Sequence, residues 1–203
     1  MKAFLESSEY INWDHPLIIE QADLLSQGCK TDEQIAKNCF EFVRDHICHT
    51  GDQGEGPVTC KASDVLRYGT GYCYAKSHLL AALLRANKIP AALCYQRLTI
   101  DSDKPPYCLH GLNAVYLKSY GWYRLDPRGN KPGINAQFSP PEEQLAFPVV
   151  ITGERDIAHR FEVPLPEILA ALNPSYTVDD VANNLPDIDS GSFEKSSFEE
   201  SSF

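Results

Sequence analysis

Three residues of different chemistry stand out in a chain of 203 residues: a cysteine at 73, a histidine at 110 and an aspartate at 126. A thiolate nucleophile needs a base that holds it as an ion pair and later protonates the leaving group. That base needs an acceptor to fix its tautomer. Cys73 follows Gly69-Thr-Gly71-Tyr, where two glycines permit a sharp turn, and it opens the helix-forming run Ala75 to Ala86. Free N–H groups and the positive end of the helix dipole stabilise a thiolate there, which makes the sulfur a nucleophile near neutral pH. The plain alternative is a buried small hydrophobe, the usual fate of a free cysteine. His110 likewise reads as an ordinary strand residue, and Asp126, before Pro127, as a turn starter. The order of Cys helix, His strand and Asp strand is what favours the chemical reading over three separate coincidences.

The elements that must position these residues follow from periodicity. Leu79, Leu80, Leu83 and Leu84 cover most of the circumference of the Cys73 helix, so it is expected to be buried. Upstream, residues 14–27 predict a helix capped by Asp14, with Pro16 in its first turn and Gly28 as its stop. Thr31-Asp-Glu-Gln34 reads as a capping box for a second helix carrying Ile35, Cys39, Phe42, Val43 and Ile47. A Gly-rich loop, 49–60, forms one wall of a cleft, and Ser63 caps a short helix ending at Gly69. Downstream, 91–100, 110–117 and 122–125 predict strands, the last two joined by Lys118-Ser-Tyr-Gly121. Helices followed by antiparallel strands give an α+β layout with the Cys helix lying on a sheet. Strand alternation then sets a condition: for His110 and Asp126 to be neighbours on one face, paired residue numbers must sum to an even value near 236 to 238. A two-residue tip at Lys118-Ser119 gives an odd sum, so a bulge at Gly121 is required. Val149 with Ile151, and Phe161 with Val163, suggest further strands, and 166–172 and 177–185 closing helices, the latter capped by Thr177.

Composition bounds the rest. With 43% hydrophobic residues the chain can bury one core, read as a single domain over 1–185 with a low-complexity, disordered tail over 186–203. A net charge of -10 argues against a nucleic-acid surface, and no apolar run has the length of a membrane span. Seven cysteines at irregular spacing fit reduced thiols and a cytoplasmic setting better than a disulfide framework. No cofactor or metal is called for. His46, Cys48, His49 and Cys60 follow no zinc-ligand spacing, and glycines 51, 54 and 56 lack the context of a phosphate loop. His78 sits about 140° round the helix from Cys73 and is no partner for it. Cys108, two residues before His110, faces the same way.

The run Gly-Tyr-Cys73-Tyr-Ala-Lys-Ser-His-Leu-Leu-Ala-Ala-Leu-Leu-Arg, then His110 opening a strand, then Gly-Trp-Tyr-Arg-Leu-Asp126-Pro, resembles the core of the transglutaminase-like superfamily in its bacterial cysteine-peptidase-like branch. The likeness is good over about 35–130 and extends to about 148. It implies a papain-like fold and a triad of Cys73 as nucleophile, His110 as general base and acid, and Asp126 orienting His110. Two departures stand out: Gly111 follows His110 where many members carry a bulkier residue, and 49–60 holds no tryptophan to help bind the oxyanion. The N–H of Cys73 supplies one oxyanion donor, with Tyr68 or Gln53 as candidates for a second. The expected activity is thiol-dependent acyl transfer on a peptide or protein amide, with hydrolysis as the favoured outcome. Protein cross-linking, an arylamine-type acetyltransferase and a non-catalytic binding module are the alternatives.

Overall fold

The computed structural model describes residues 1–100 and 103–188. A short 3-10 turn, Lys2–Leu5, leads to α1 (Pro16–Ser26) and α2 (Asp32–His46). Next come a two-residue strand β1 (Cys48–His49), α3 (Thr50–Gln53), α4 (Ala62–Tyr68) and β2 (Thr70–Gly71), then α5 (Cys73–Ala86). Strands β3 (Ala91–Thr99), β4 (Tyr107–Leu117), β5 (Gly121–Leu125) and β6 (Arg155–Asp156) follow, and α6 (Pro166–Ala171) and α7 (Val178–Asn183) close the described chain. The four larger-sheet strands run antiparallel in the order β5-β4-β3-β6, and β1 pairs with β2 in parallel. This is the expected α+β layout.

Helix α5 is the axis of the molecule. It lies on β3 and β4 and is wrapped on its other side by α1, α2 and α4. Leu79, Leu80, Leu83 and Leu84 are all fully buried, as a helix apolar on every face requires. Cutting any one of them to alanine costs about 2–5 kcal/mol. Two cations are buried with them and spend their donors on carbonyls: Lys76 Nζ on Ile47 O and Arg44 O, and the Arg85 guanidinium on Ala91 O, Glu6 O and Glu162 O. Burial pushes Lys76 down to about 8, with Arg128 acting the same way. From β4, Asn113 Nδ2 donates to Ser77 O and Ala92 O, which fastens the sheet to α5.

Local signals resolve with several corrections. The cap of α1 is His15, whose Nδ1 accepts from Leu17 N, while Asp14 instead accepts from Ser7 Oγ. Thr31 caps α2 by accepting from Gln34 N, but the Gln34 side chain reaches Lys30 N, not Thr31 N. Ser63 lies inside α4 and bonds Asn12, so Lys61 holds the cap position without a side-chain bond. Gly69 ends α4 in the left-handed region, as expected. The expected strand at Val149 and Ile151 is a turn: the N–H groups of Val150 and Ile151 both donate to the Glu154 carboxylate, so they are unavailable to a ladder. Strand pairing with β3 comes instead from Arg155–Asp156 and from a single bridge between Leu93 and Phe161. At the C-terminal end, Thr177 and Asp180 close a full capping box on α7. Pro186 O accepts from Leu109 N and Ile188 is buried, so the first three residues of the expected tail pack on the fold. The rest of that tail, 189–203, and part of the expected 101–106 loop lie outside the described residues.

Candidate active site

Cys73 is the first residue of α5, with Tyr72 at the cap position and the sulfur-bearing residue only 7% exposed. The parallel bridge between His49 and Gly71 holds the preceding segment beside β1. A Cβ at Gly71 would crowd Ala75, Thr59 and Val65 at 3.1–3.3 Å. The sharp entry into α5 is therefore closely packed on the side away from the cleft.

Tyr74, the neighbour of Cys73, aligns the strand that carries His110. Its hydroxyl donates to Leu109 O on one flank of the histidine. On the other flank Gly111 lies against Tyr74 itself: an added Cβ falls 2.9 Å from the Tyr74 ring and 3.0 Å from its Cα. Gly111 thus accounts for its own departure from the family pattern, because only a residue without a side chain lets β4 approach the first turn of α5 so closely.

The hairpin meets the register condition. Asn113 pairs Leu125 and Leu117 pairs Gly121, an even sum of 238. The tip has three residues, 118–120, not two, and Gly121 stands at its end with φ +76°, in the left-handed conformation that such a connection requires. One step past Leu125, Asp126 falls on the face of Leu112 and so diagonal to His110.

His110 Nε2 donates to Asp126 Oδ2 at 2.7 Å, with the histidine 5% exposed and the aspartate fully buried. Asp126 also accepts from Arg128 N through Oδ1 and from Ala146 N through Oδ2, each at 3.1 Å. Burial alone works against its charge, but His110 and these two N–H groups hold the carboxyl below its ordinary range. Since Nε2 is engaged, the ring presents Nδ1 to the thiol of Cys73, with which His110 is in hydrogen-bonding contact. Burial opposes a charged imidazole there, yet the Asp126 carboxylate and the Cys73 sulfur outweigh it and raise His110 to about 10. The Phe147 ring stands edge-on to the imidazole with centroids 4.9 Å apart and shields it.

Cys73 and His110 open into a cleft of about 930 Å³. One wall includes His49, Gly51, Asp52 and Gly54, as expected of the 49–60 segment. Asp52 accepts two bonds from the Arg128 guanidinium, 2.5 and 2.9 Å, and one from Lys131 at 2.6 Å. Burial, then the charge of Arg128, pushes His49 down to about 3, so that ring is neutral. Cys108 also borders the cleft.

The structure thus brings Cys73, His110 and Asp126 together. It does not bring Tyr68 or Gln53 to them: Tyr68 is 57% exposed and lines a separate depression with Pro57 and Leu172, and Gln53 accepts from Thr70 Oγ1 away from the cleft lining. Sequence reasoning missed Tyr74, Arg128 and Phe147. The Asp-Pro-Arg turn was the one signal for Arg128. Nothing local marks Phe147, which reaches His110 by tertiary packing alone.

The model of the transglutaminase-like superfamily matches residues 20–127, more than half of the chain. The chain belongs to the transglutaminase-like superfamily. Among solved structures it is similar to one described as "a Putative Cysteine Protease from Cytophaga hutchinsonii", at 20% identity and TM-score 0.49, over 62% of this chain and 40% of that one. It is also similar to the periplasmic domain of TgpA from Pseudomonas aeruginosa, at 18% identity and TM-score 0.46, over 61% and 45%. A third likeness is to red sea bream transglutaminase, at 12% identity and TM-score 0.37, over 57% and 25%. The chain spans less than half the length of each of these three structures. No curated protein matches it. Among the described residues no helix is long and apolar enough to cross a membrane.

Proposed function

We propose that this member of the superfamily is a thiol-dependent acyl-transfer enzyme that hydrolyses a peptide or amide bond, with Cys73, His110 and Asp126 as its catalytic residues. The observation that carries the reading is the buried 2.7 Å His110–Asp126 bond beside a thiol at a helix start, opening into a cleft. In the resting site His110 is the proton-bearing partner of the thiolate. The sulfur attacks the amide carbonyl carbon, and the carbonyl π electrons move to oxygen. The Cys73 N–H, directed out of the first turn of α5, stabilises that oxyanion. His110 Nδ1 then gives its proton to the departing amine as the carbon–nitrogen bond breaks, leaving a thioester. Water attacks the thioester, His110 takes its proton, and collapse returns acid product and thiolate. Throughout, Asp126 fixes the ring and compensates its charge. Tyr68 and Gln53 receive no role, because neither borders the cleft.

The same reading takes residues 1–185 as one catalytic domain, its packing extended by Pro186–Ile188. It places the protein in the cytoplasm, in keeping with seven cysteines at irregular spacing. Digestion of an unbiased peptide library tests the activity. The expected result is cleavage by the wild type that disappears in Cys73→Ala and leaves new carboxyl and amino termini. Cleavage of equal rate by Cys73→Ala, or amine incorporation without new termini, overturns the hydrolytic reading.

A further inference from the structure

The cleft is more than an opening to the thiol, because its far end has two apolar walls. Val178 and Ala182, one turn apart on α7, and Leu185 just past its end form one of them. Leu98 and Ile100 at the end of β3, with Val150, form the other. Two of these side chains are left open in a way that folding does not explain: Ile100 is 37% and Val150 72% exposed, both on the cleft. The α7 wall is fastened at both ends. Tyr72 Oη, next to the nucleophile, donates to Val178 O, and past the helix Leu109 N donates to Pro186 O while Arg97 grips Asp187.

The charges in the cleft are uneven. Asp52 is bonded by both Arg128 and Lys131, so that cluster presents no net negative charge, and His49 is uncharged. Glu154 and Asp179 remain, and neither forms an ion pair among the described residues. Glu154 is pinned by neutral donors only, Thr99 N and Oγ1 on one oxygen and Val150 N and Ile151 N on the other. Its charge is thus held in place without an ion-pair partner among the described residues.

We infer that this cleft selects an acyl donor whose branched apolar side chain lodges between α7 and the end of β3, flanked by a cationic residue that meets Glu154 and Asp179. The inference rests on the acyl-transfer reading and narrows its substrate to apolar-basic peptide segments. Acidic segments are rejected by the same two carboxylates.

Dye-labelled, end-blocked hexapeptides containing Leu-Lys, Leu-Glu or Ala-Lys are the probes. They are scored for hydrolysis by the wild type and for binding to Cys73→Ala protein by fluorescence anisotropy. Leu-Lys should bind about tenfold more tightly than Leu-Glu, a difference that shrinks with added salt. It should also bind at least about tenfold more tightly than Ala-Lys. Asp179→Lys should reduce the Lys-over-Glu ratio to about threefold or less, and Ala182→Trp should remove the Leu-over-Ala ratio by filling the wall. Both variants should keep the wild-type circular dichroism. Preferential binding of Leu-Lys without turnover supports the inference and counts against the proposed function alone. Equal binding of all three peptides, or an Asp179→Lys protein with its Lys preference intact, overturns the inference even if the enzyme cleaves peptides.

Discussion

Replacing Asp126 by asparagine removes one charge from the centre of the site and leaves its shape. His110 is raised from 6.5 to about 10 against the effect of burial, and Asp126 is the first of the favourable causes. With that carboxylate neutral, burial is opposed only by the Cys73 sulfur, and the imidazole should titrate well below about 10. Breaking such a buried pair by removing one partner's charge costs about 3–5 kcal/mol. Asparagine also cannot accept all three existing bonds: if its oxygen keeps His110 Nε2 and Ala146 N, its amide group meets Arg128 N donor to donor. The pH dependence has a definite sign. A histidine raised by folding contributes stability in full below 6.5 and loses it as pH rises through about 10. Asp126, held low, contributes above its ordinary 3.8 and loses that contribution as pH falls through its folded value. The stability gap between wild type and Asp126→Asn should therefore be widest from about pH 4 to 6.5 and narrow by pH 10. Nitrogen-15 imidazole spectra over that range, with urea unfolding at pH 6 and pH 10, read both effects. An Asp126→Asn protein whose His110 still titrates near 10, or a stability gap equal at the two pH values, refutes the reasoning.

Other changes separate positioning from packing. Gly111→Ala forces a Cβ onto the Tyr74 ring and backbone. It should cost about 1–3 kcal/mol by overpacking and lower kcat beyond what unfolding explains, as seen by comparing thermal midpoint with turnover. Tyr74→Phe leaves Leu109 O without its hydroxyl donor; it should cost about 1 kcal/mol in urea titration and reduce kcat with little change in KM. Thr177→Ala breaks the capping box of α7, should cost about 1 kcal/mol, and should speed hydrogen exchange in 178–183 ahead of the core.

Much of this architecture is readable along the chain because the information is local. The apolar residues of Leu79–Leu84 announce a buried helix, Gly69 ends one element, and Thr177 with Asp180 begins another. The hairpin register follows from alternation plus one glycine, and it juxtaposes His110 and Asp126 without any long-range knowledge. What escapes a reading of the sequence is set by contacts between distant segments. Phe147 covers His110 from a stretch without periodicity, Ala146 completes the bonding of Asp126, and α7 becomes a cleft wall through bonds from Tyr72 at its start and from Leu109 and Arg97 past its end. Val149 and Ile151 mislead because strand-forming side chains say nothing of the Glu154 carboxylate that captures the backbone N–H groups of Val150 and Ile151. Tyr68 and Gln53 mislead for a related reason: a place upstream of Cys73 does not bring either side chain to the cleft, since Tyr68 is exposed and Gln53 bonds Thr70.

The central claim is that the sulfur of Cys73 becomes covalently acylated. Mixing the protein with p-nitrophenyl acetate and following nitrophenolate release gives the most direct measurement, with peptide mass spectrometry of the acid-quenched protein to locate the acetyl group. A burst of about one equivalent per chain with acetyl on Cys73, lost in Cys73→Ala and strongly slowed in His110→Ala, is the result this account predicts. A burst that survives Cys73→Ala, or acetyl carried by Cys108 or Cys48 instead, contradicts it.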